Sequence, residues 1–248
     1  MKSIHTIKKN VIYFEDLDFK NMTCVRGKKD RQIFFHDSKP IVYKTYVEGW
    51  EYADTIEQGI NSGFYDLSLI PNFIALIQEK NNKNRGYATY KMDEHRILSN
   101  QLKKNKINTF LKLINKKIHK NYFQKKPYQN YLVVLLFNLF FKIIKTELIF
   151  TELNIVHIWQ GKKGYHIFDL DSLREIDWLL SEDKNKNDFL RSIVNRDSFN
   201  KGLKELIELH GFQYPFKIVQ KGDIPVFWET FVKKNKIESI PKSLLVNE

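Results

Sequence analysis

Apolar residues alternate in short runs through the first 92 residues and then recur at helical spacing, a change of period that restricts the chain to two unlike halves. The first half opens on three runs that read as strands, Asn21 to Gly27 (NMTCVRG), Arg31 to Asp37 (RQIFFHD) and Pro40 to Val47 (PIVYKTYV). Gly27-Lys28-Lys29-Asp30 and Ser38-Lys39-Pro40 between them are turn compositions, so the runs form an antiparallel meander. From Trp50 to Ile60, Trp50, Ala53, Ile56 or Glu57, and Ile60 recur at helical spacing, and Asn61-Ser62-Gly63 stops the helix. Leu69-Ile70-Pro71 then leads into a strand over Phe73 to Gln78, which turns at Asn81 to Arg85 and returns over Gly86 to Met92.

After a connector at Tyr90 to Glu94, Ile97 to Phe123 carries Ile107, Phe110, Leu111, Ile114 and Ile118 as an apolar stripe with lysines opposite. A long helix is predicted after Pro127, from about Tyr128 to Thr146, followed by a turn region over Phe150 to His157. A hairpin is predicted around Gly161-Lys162-Lys163-Gly164, and helices over Asp188 to Val194 and Asp197 to His210. Pro215 to Glu248 reads as irregular, broken by Pro225 and Pro241. The chain is therefore expected to be α+β, with a small strand-rich domain over 1–92 and a larger helical one over 93–248.

A chain of 248 residues, 42% hydrophobic and 28% charged, can bury a core in each half, which excludes disorder. Cys24 is the single cysteine, so neither a disulfide framework nor a cysteine-based zinc site is available, and a cytoplasmic location is expected. The longest apolar run, Tyr131 to Phe141, would reach only about 16 Å as a helix, about half a bilayer core, and reads as a buried helix. The basic N-terminus lacks the apolar core of a secretory signal. Net charge is +12, and the interval between Glu94 and Glu147 holds Arg96 and eleven lysines with no acidic residue, a surplus equal to the whole excess. Such a segment suits an anionic membrane face or a phosphorylated substrate, or is simply a solvated lysine-rich surface. It carries no recognised nucleic-acid motif, and a nucleic acid is not the expected partner.

The chemistry concentrates in Phe150 to Leu173, where Glu152 is followed five residues later by His157 and, after the hairpin, by Asp169-Leu170-Asp171. A carboxylate that orients a hydroxyl, and an imidazole and a carboxylate that hold Mg²⁺ or Mn²⁺ on ATP phosphates, are what phosphoryl transfer needs. Asp169 ends a strand-like run of Tyr165, Ile167 and Phe168, a mount for a hard cation, although an aspartate there also serves as a turn or helix cap before Ser172. His157, between Val156 and Ile158, otherwise reads as a satisfied core histidine. On the third strand, Lys44 between Val42 and Tyr46 points either into a cleft or, from an edge strand, to solvent.

This order of elements and residues resembles the protein-kinase-like fold, and within it the kinases that phosphorylate Kdo and heptose sugars of the lipopolysaccharide core, over roughly Asn21 to His210. The resemblance implies a bilobal architecture with a strand-rich N-lobe and a helical C-lobe. It implies that Lys44 pairs with the α- and β-phosphates of ATP, that Glu57 (or Glu51) holds that lysine, and that Gly27 lies in the phosphate-covering turn. It also implies that Glu152 is the catalytic-loop acid, that His157 and Asp169 bind Mg²⁺ or Mn²⁺, and that Arg191 lies in the helical segment after the metal motif. The sequence departs from the pattern twice. One glycine stands where a glycine-rich loop is usual, and Glu152 replaces an aspartate, moving the carboxylate by about 1 Å, enough to change a rate about a hundredfold. Two readings follow: an ATP-dependent phosphotransferase acting on an anionic sugar or glycolipid, held at the inner membrane face through segment 96–145, or an inactive kinase-like module that binds a protein or a membrane.

Overall fold

The computed structural model describes residues 7, 9–27, 30–47, 52–98, 126–150, 153, 157–161, 164–175, 204, 207–208, 212–213 and 223–238. It is α+β, and the chain divides into two compact units, Met1–Asp93 and Glu94–Glu248.

The first unit is built on a six-stranded sheet of β1 (Val11–Tyr13), β2 (Met22–Gly27), β3 (Arg31–His36), β4 (Ile41–Tyr46), β5 (Phe73–Gln78) and β6 (Asn84–Tyr90), in the order β1-β5-β6-β4-β3-β2. All neighbours pair antiparallel except β1, which lies parallel on β5. The three strands read from the meander and the two read after the helix are present; β1 was not expected. It has three residues, and its burial alternates without a fully buried position.

Alternation along the strands separates the two faces of this sheet. Tyr43 and Ala88, paired across β4 and β6, form a cluster on one face with Leu17 and Ile77, closed by Ile12, Phe14, Met22, Phe34, Ile41 and Ile74. On the other face Val11, Leu76, Tyr87, Lys44 and Ile33 pair in one continuous rung across β1, β5, β6, β4 and β3. Helix α1 (Tyr52–Asn61) packs along β6 and buries Ala53, Ile56 and Ile60, the positions that recur at helical spacing. Gly63 (φ +76°) ends it in the left-handed conformation, and the Tyr65 amide returns to the Gly59 carbonyl at 2.9 Å. The chain then buries Phe64, Tyr65, Leu69 and Ile70 completely, pinned by Asp66, whose carboxylate accepts from the Ser68 and Leu69 amides at 2.9 and 3.1 Å.

The second unit contains α2 (Lys126–Thr146), which starts two residues before the expected point and holds Pro127 in its first turn, where a missing N–H costs nothing. Leu132, Leu136, Leu139, Phe140 and Ile143 are almost completely buried, Val133, Val134, Leu135 and Lys142 are buried around the rest of the helix, and Glu147 (φ +60°) closes it, its amide reaching the Ile143 carbonyl at 2.9 Å. β7 (Leu148–Phe150) follows and pairs antiparallel with β10 (Leu173–Glu175), while β8 (Ile158–Gln160) and β9 (Tyr165–Ile167) form the expected hairpin. The stretch read as a turn from Phe150 thus begins as the last residue of a strand. The tail expected to be irregular carries α3 (Asp223–Lys234), and Pro225 does not break it because it is the third residue, in the turn whose amides have no helical acceptor. What holds α3 is aromatic packing against α2: Trp228 lies 5.7 Å from Phe137 and 6.0 Å from Phe140, between ring centroids, and the buried Phe231 meets Phe212 at 5.5 Å. Among the described residues no helix is long and apolar enough to cross a membrane.

Candidate functional site

In the first unit Lys44 is not an edge-strand lysine. β4 lies between β6 and β3, and Lys44 is only 8% exposed, its Nζ 5.7 Å from the ring centroids of both Tyr46 and Tyr87. An ammonium so placed is costly to desolvate, and the electron-rich ring faces offset part of that cost. The position has a local and a long-range origin: the period of two puts Tyr46 on the same face as Lys44, and the β4–β6 register sets Tyr87 opposite.

Glu57 was expected to hold Lys44; its carboxylate is instead engaged by Lys9 and by Asn84 Nδ2, the latter at 2.7 Å. Asn84 also donates to Asp54 at 3.0 Å and accepts from Gln78 at 2.8 Å, so the α1 carboxylates are tied to the β5–β6 end of the sheet. Partial burial would raise the Glu57 carboxyl pKa, but the hydrogen bonds from Lys9 and Asn84 and the charge of Lys9 outweigh it and hold the group below the ordinary glutamate value. Lys9 and Asn84 lie 48 and 27 residues from Glu57, and no local pattern announces them. Glu51, the other candidate, lies outside the described residues.

Gly27 ends the edge strand β2, and a Cβ built there would meet only Cys24 Sγ at 3.8 Å, an ordinary contact. The backbone at this position therefore does not demand glycine. Lys28 and Lys29 are outside the described residues, as are Glu152 and Arg191.

In the second unit the structure brings together His157 and Asp169, with His157 Nε2 3.2 Å from Asp169 Oδ2 and both side chains about one-fifth exposed, at 21% and 19%. The β8–β9 hairpin causes this. His157 immediately precedes β8, Phe168 follows β9, and the Phe168 amide donates to the His157 carbonyl at 3.1 Å, extending the ladder by one step. The Phe168 ring stands edge-on to the imidazole at 6.1 Å, fixing its plane from one side. Asp171 and Ser172 are buried at the entrance to β10.

A hard divalent ion binds oxygen or imidazole nitrogen at about 2.1 Å, so two adjacent octahedral ligands stand about 3.0 Å apart. The 3.2 Å separation of Nε2 and Oδ2 is that of a direct ion pair or hydrogen bond between the two side chains, and it also lies close to that spacing. Two protein ligands leave the remaining positions for water and phosphate oxygens, the usual arrangement for Mg²⁺ on a nucleotide, and an imidazole in the pair favours Mn²⁺ further. Among the described residues no cluster of three or more metal-ligating side chains occurs. No family model matches the chain, and no curated protein matches it significantly.

Proposed function

We propose that this protein is an ATP-dependent phosphotransferase of kinase-like, bilobal fold that phosphorylates a sugar hydroxyl of the lipopolysaccharide core or of a related anionic glycolipid. The observation that carries the reading is the His157–Asp169 pair, a carboxylate and an imidazole converged at the ligand spacing of one divalent ion on a hairpin that follows directly after β7. The buried Lys44, on a central strand with α1 next in the chain, supports the nucleotide half.

In this reading Lys44 neutralises the α- and β-phosphates, and His157 and Asp169 hold the Mg²⁺ or Mn²⁺ that bridges phosphate oxygens and spreads the charge developing on the transferred group. Glu152 accepts or orients the proton of the attacking sugar hydroxyl. The acid-free segment 96–145 gives the protein an electrostatic hold on an anionic lipid surface at the inner membrane face.

Incubation with γ-labelled ATP and an anionic core glycolipid should transfer label, and Asp169→Ala should abolish the transfer; label moved at the wild-type rate by that variant contradicts the mechanism. The Glu57 carboxylate on Lys9 and the conformationally undemanding Gly27 favour a second reading, an inactive module that keeps the fold and binds a protein or membrane. Glu152→Asp separates the two: turnover appearing only in that variant assigns the natural chain to the module.

A further inference from the structure

Among the described strands β1 is an open edge of the sheet. It pairs with β5 on one side only, and Val11 and Tyr13 remain 37% and 40% exposed. The other edge, β2, carries a bulge between Cys24 and Arg26 and a cationic side chain at Arg26, two devices that discourage strand addition. β1 has neither: Val11, Ile12 and Tyr13 are uncharged, and their register on β5 is unbroken.

The pairing with β5 decides which backbone groups face outward. The Leu76 amide donates to the Asn10 carbonyl and Val11 lies level with Leu76, so Asn10 and Ile12 bond β5 while Val11 and Tyr13 turn their N–H and C=O groups away from it. Tyr13 caps the 3₁₀ turn Phe14–Asp16, which engages its carbonyl. The Tyr13 N–H and the Val11 C=O therefore face out of the edge as a donor and an acceptor two residues apart.

An antiparallel copy of the same strand, centred on Ile12, meets both groups. Each Tyr13 N–H donates to the other copy's Val11 carbonyl, and each tyrosine lies across from a valine, an aromatic and β-branched pair that suits an antiparallel ladder. The flanking charges fit the same register. Lys9 comes opposite Glu15, and in the sequence Lys8 and Asp16 repeat the match one position further out, so the basic entry of each strand meets the acidic exit of the other. Sliding the copy by two residues sets Lys9 against Tyr13, or Glu15 against Val11, and loses the match. Lys9 and Glu15 are exposed, and their bonds to Glu57 and to the Lys80 amide leave capacity, because an ammonium and a carboxylate each take more than one partner.

We propose that β1 is a docking edge for a second copy of this chain, which adds by antiparallel pairing about Ile12 to give a two-fold dimer with one sheet running through both copies. The dimer is independent of the phosphotransferase reading.

So short a strand makes a transient contact, which calls for sedimentation of the full chain at concentrations up to about 0.5 mM. The mass should rise from monomer toward dimer. Tyr13→Pro removes the outward N–H at a residue whose φ of −76° proline already adopts, after an extended Ile12, and should weaken association at least about tenfold with the urea midpoint unchanged. Lys9→Glu and Glu15→Lys should each weaken it, and an equimolar mixture of the two should restore it, because opposite charges then face each other at both ends. Lys9→Glu also loses Glu57, so the restoration on mixing decides, not the single variant. In wild type, a carbodiimide that joins an amine to a carboxylate in contact should link Lys9 to Glu15 in the dimer fraction alone, while a Lys9–Glu57 link appears in monomer and dimer alike. A monomer at every concentration overturns the proposal, as does a dimer that withstands Tyr13→Pro or lacks the Lys9–Glu15 link.

Discussion

Gly86 gives the most severe test of how Lys44 is placed. Its φ is +148°, and a Cβ on it would stand 1.9 Å from the Lys44 carbonyl oxygen, 2.9 Å from the Lys44 carbonyl carbon and 3.0 Å from Thr45 Cα. All three are backbone atoms of the neighbouring central strand, which no side-chain rotation relieves. The oxygen must retreat by more than about 1 Å to reach ordinary contact, which breaks ladder bonds between β4 and β6 in addition to straining the dihedral. Gly63 isolates the dihedral contribution, because its φ is +76° and nothing lies within 4 Å of its built Cβ. Gly63→Ala should therefore cost about 1 to 2 kcal/mol, the left-handed penalty alone. Gly86→Ala should cost on the order of 4 kcal/mol or more, which is in the range of the largest single substitutions. Urea unfolding followed by tyrosine and tryptophan fluorescence measures both as shifts of midpoint at constant slope. Equal costs for the two variants would refute the close approach of β6 to the Lys44 backbone, and with it the rung on which the lysine sits.

Three further expectations use other parts of the molecule. Leu136→Ala, at a fully buried site on α2, should cost about 2 to 5 kcal/mol, whereas Ile144→Ala, half exposed on the same helix, should change stability by less than about 0.5 kcal/mol; denaturant midpoints decide. Pro225→Ala should leave stability within about 0.5 kcal/mol, since this proline occupies the first turn of α3; a large loss would mean that it is a structural stop. The Glu57 carboxyl has a folded pKa below its ordinary value of 4.5, so its contribution is complete above that pH and disappears as pH falls through the folded value. Wild type should accordingly be more stable than Glu57→Gln at neutral pH, and the gap should close in acid; a gap independent of pH would remove the Lys9 and Asn84 contacts.

Most of the β-elements of the first unit were legible because their turns are compositionally distinct. GKKD and SKP punctuate β2, β3 and β4, and alternation within IVYKTY placed Lys44 and Tyr46 on one face. Whether that face is buried depends on strand order, and strand order comes from pairings between residues such as Lys44 and Tyr87, 43 positions apart (87 − 44), that no local window contains. β1, β7 and β10 escaped notice because three residues cannot display a period; each exists through its partner strand. α3 was hidden by a proline whose meaning changes with its position in a helix, and the compensating signal was Trp228 and Phe231 at helical spacing. The hairpin and its Asp169 were legible from GKKG between apolar runs, and the convergence of His157 follows once the hairpin is extended by one pair. The partner of Glu57 was not legible, because a helix and a carboxylate at the right spacing say nothing about which of two lysines reaches it first.

The central claim, a nucleotide site completed by a metal on Asp169 and His157, is tested most directly by thermal melts of wild type and Asp169→Ala with and without millimolar ATP and Mg²⁺ or Mn²⁺. Ligand at about 100 times its dissociation constant adds about 2.7 kcal/mol, which for a chain of this size raises the melting temperature by about 5 to 10 °C. The account predicts that rise in wild type, its dependence on the metal and its loss in Asp169→Ala; no rise in wild type, or an equal rise in the variant, would contradict it.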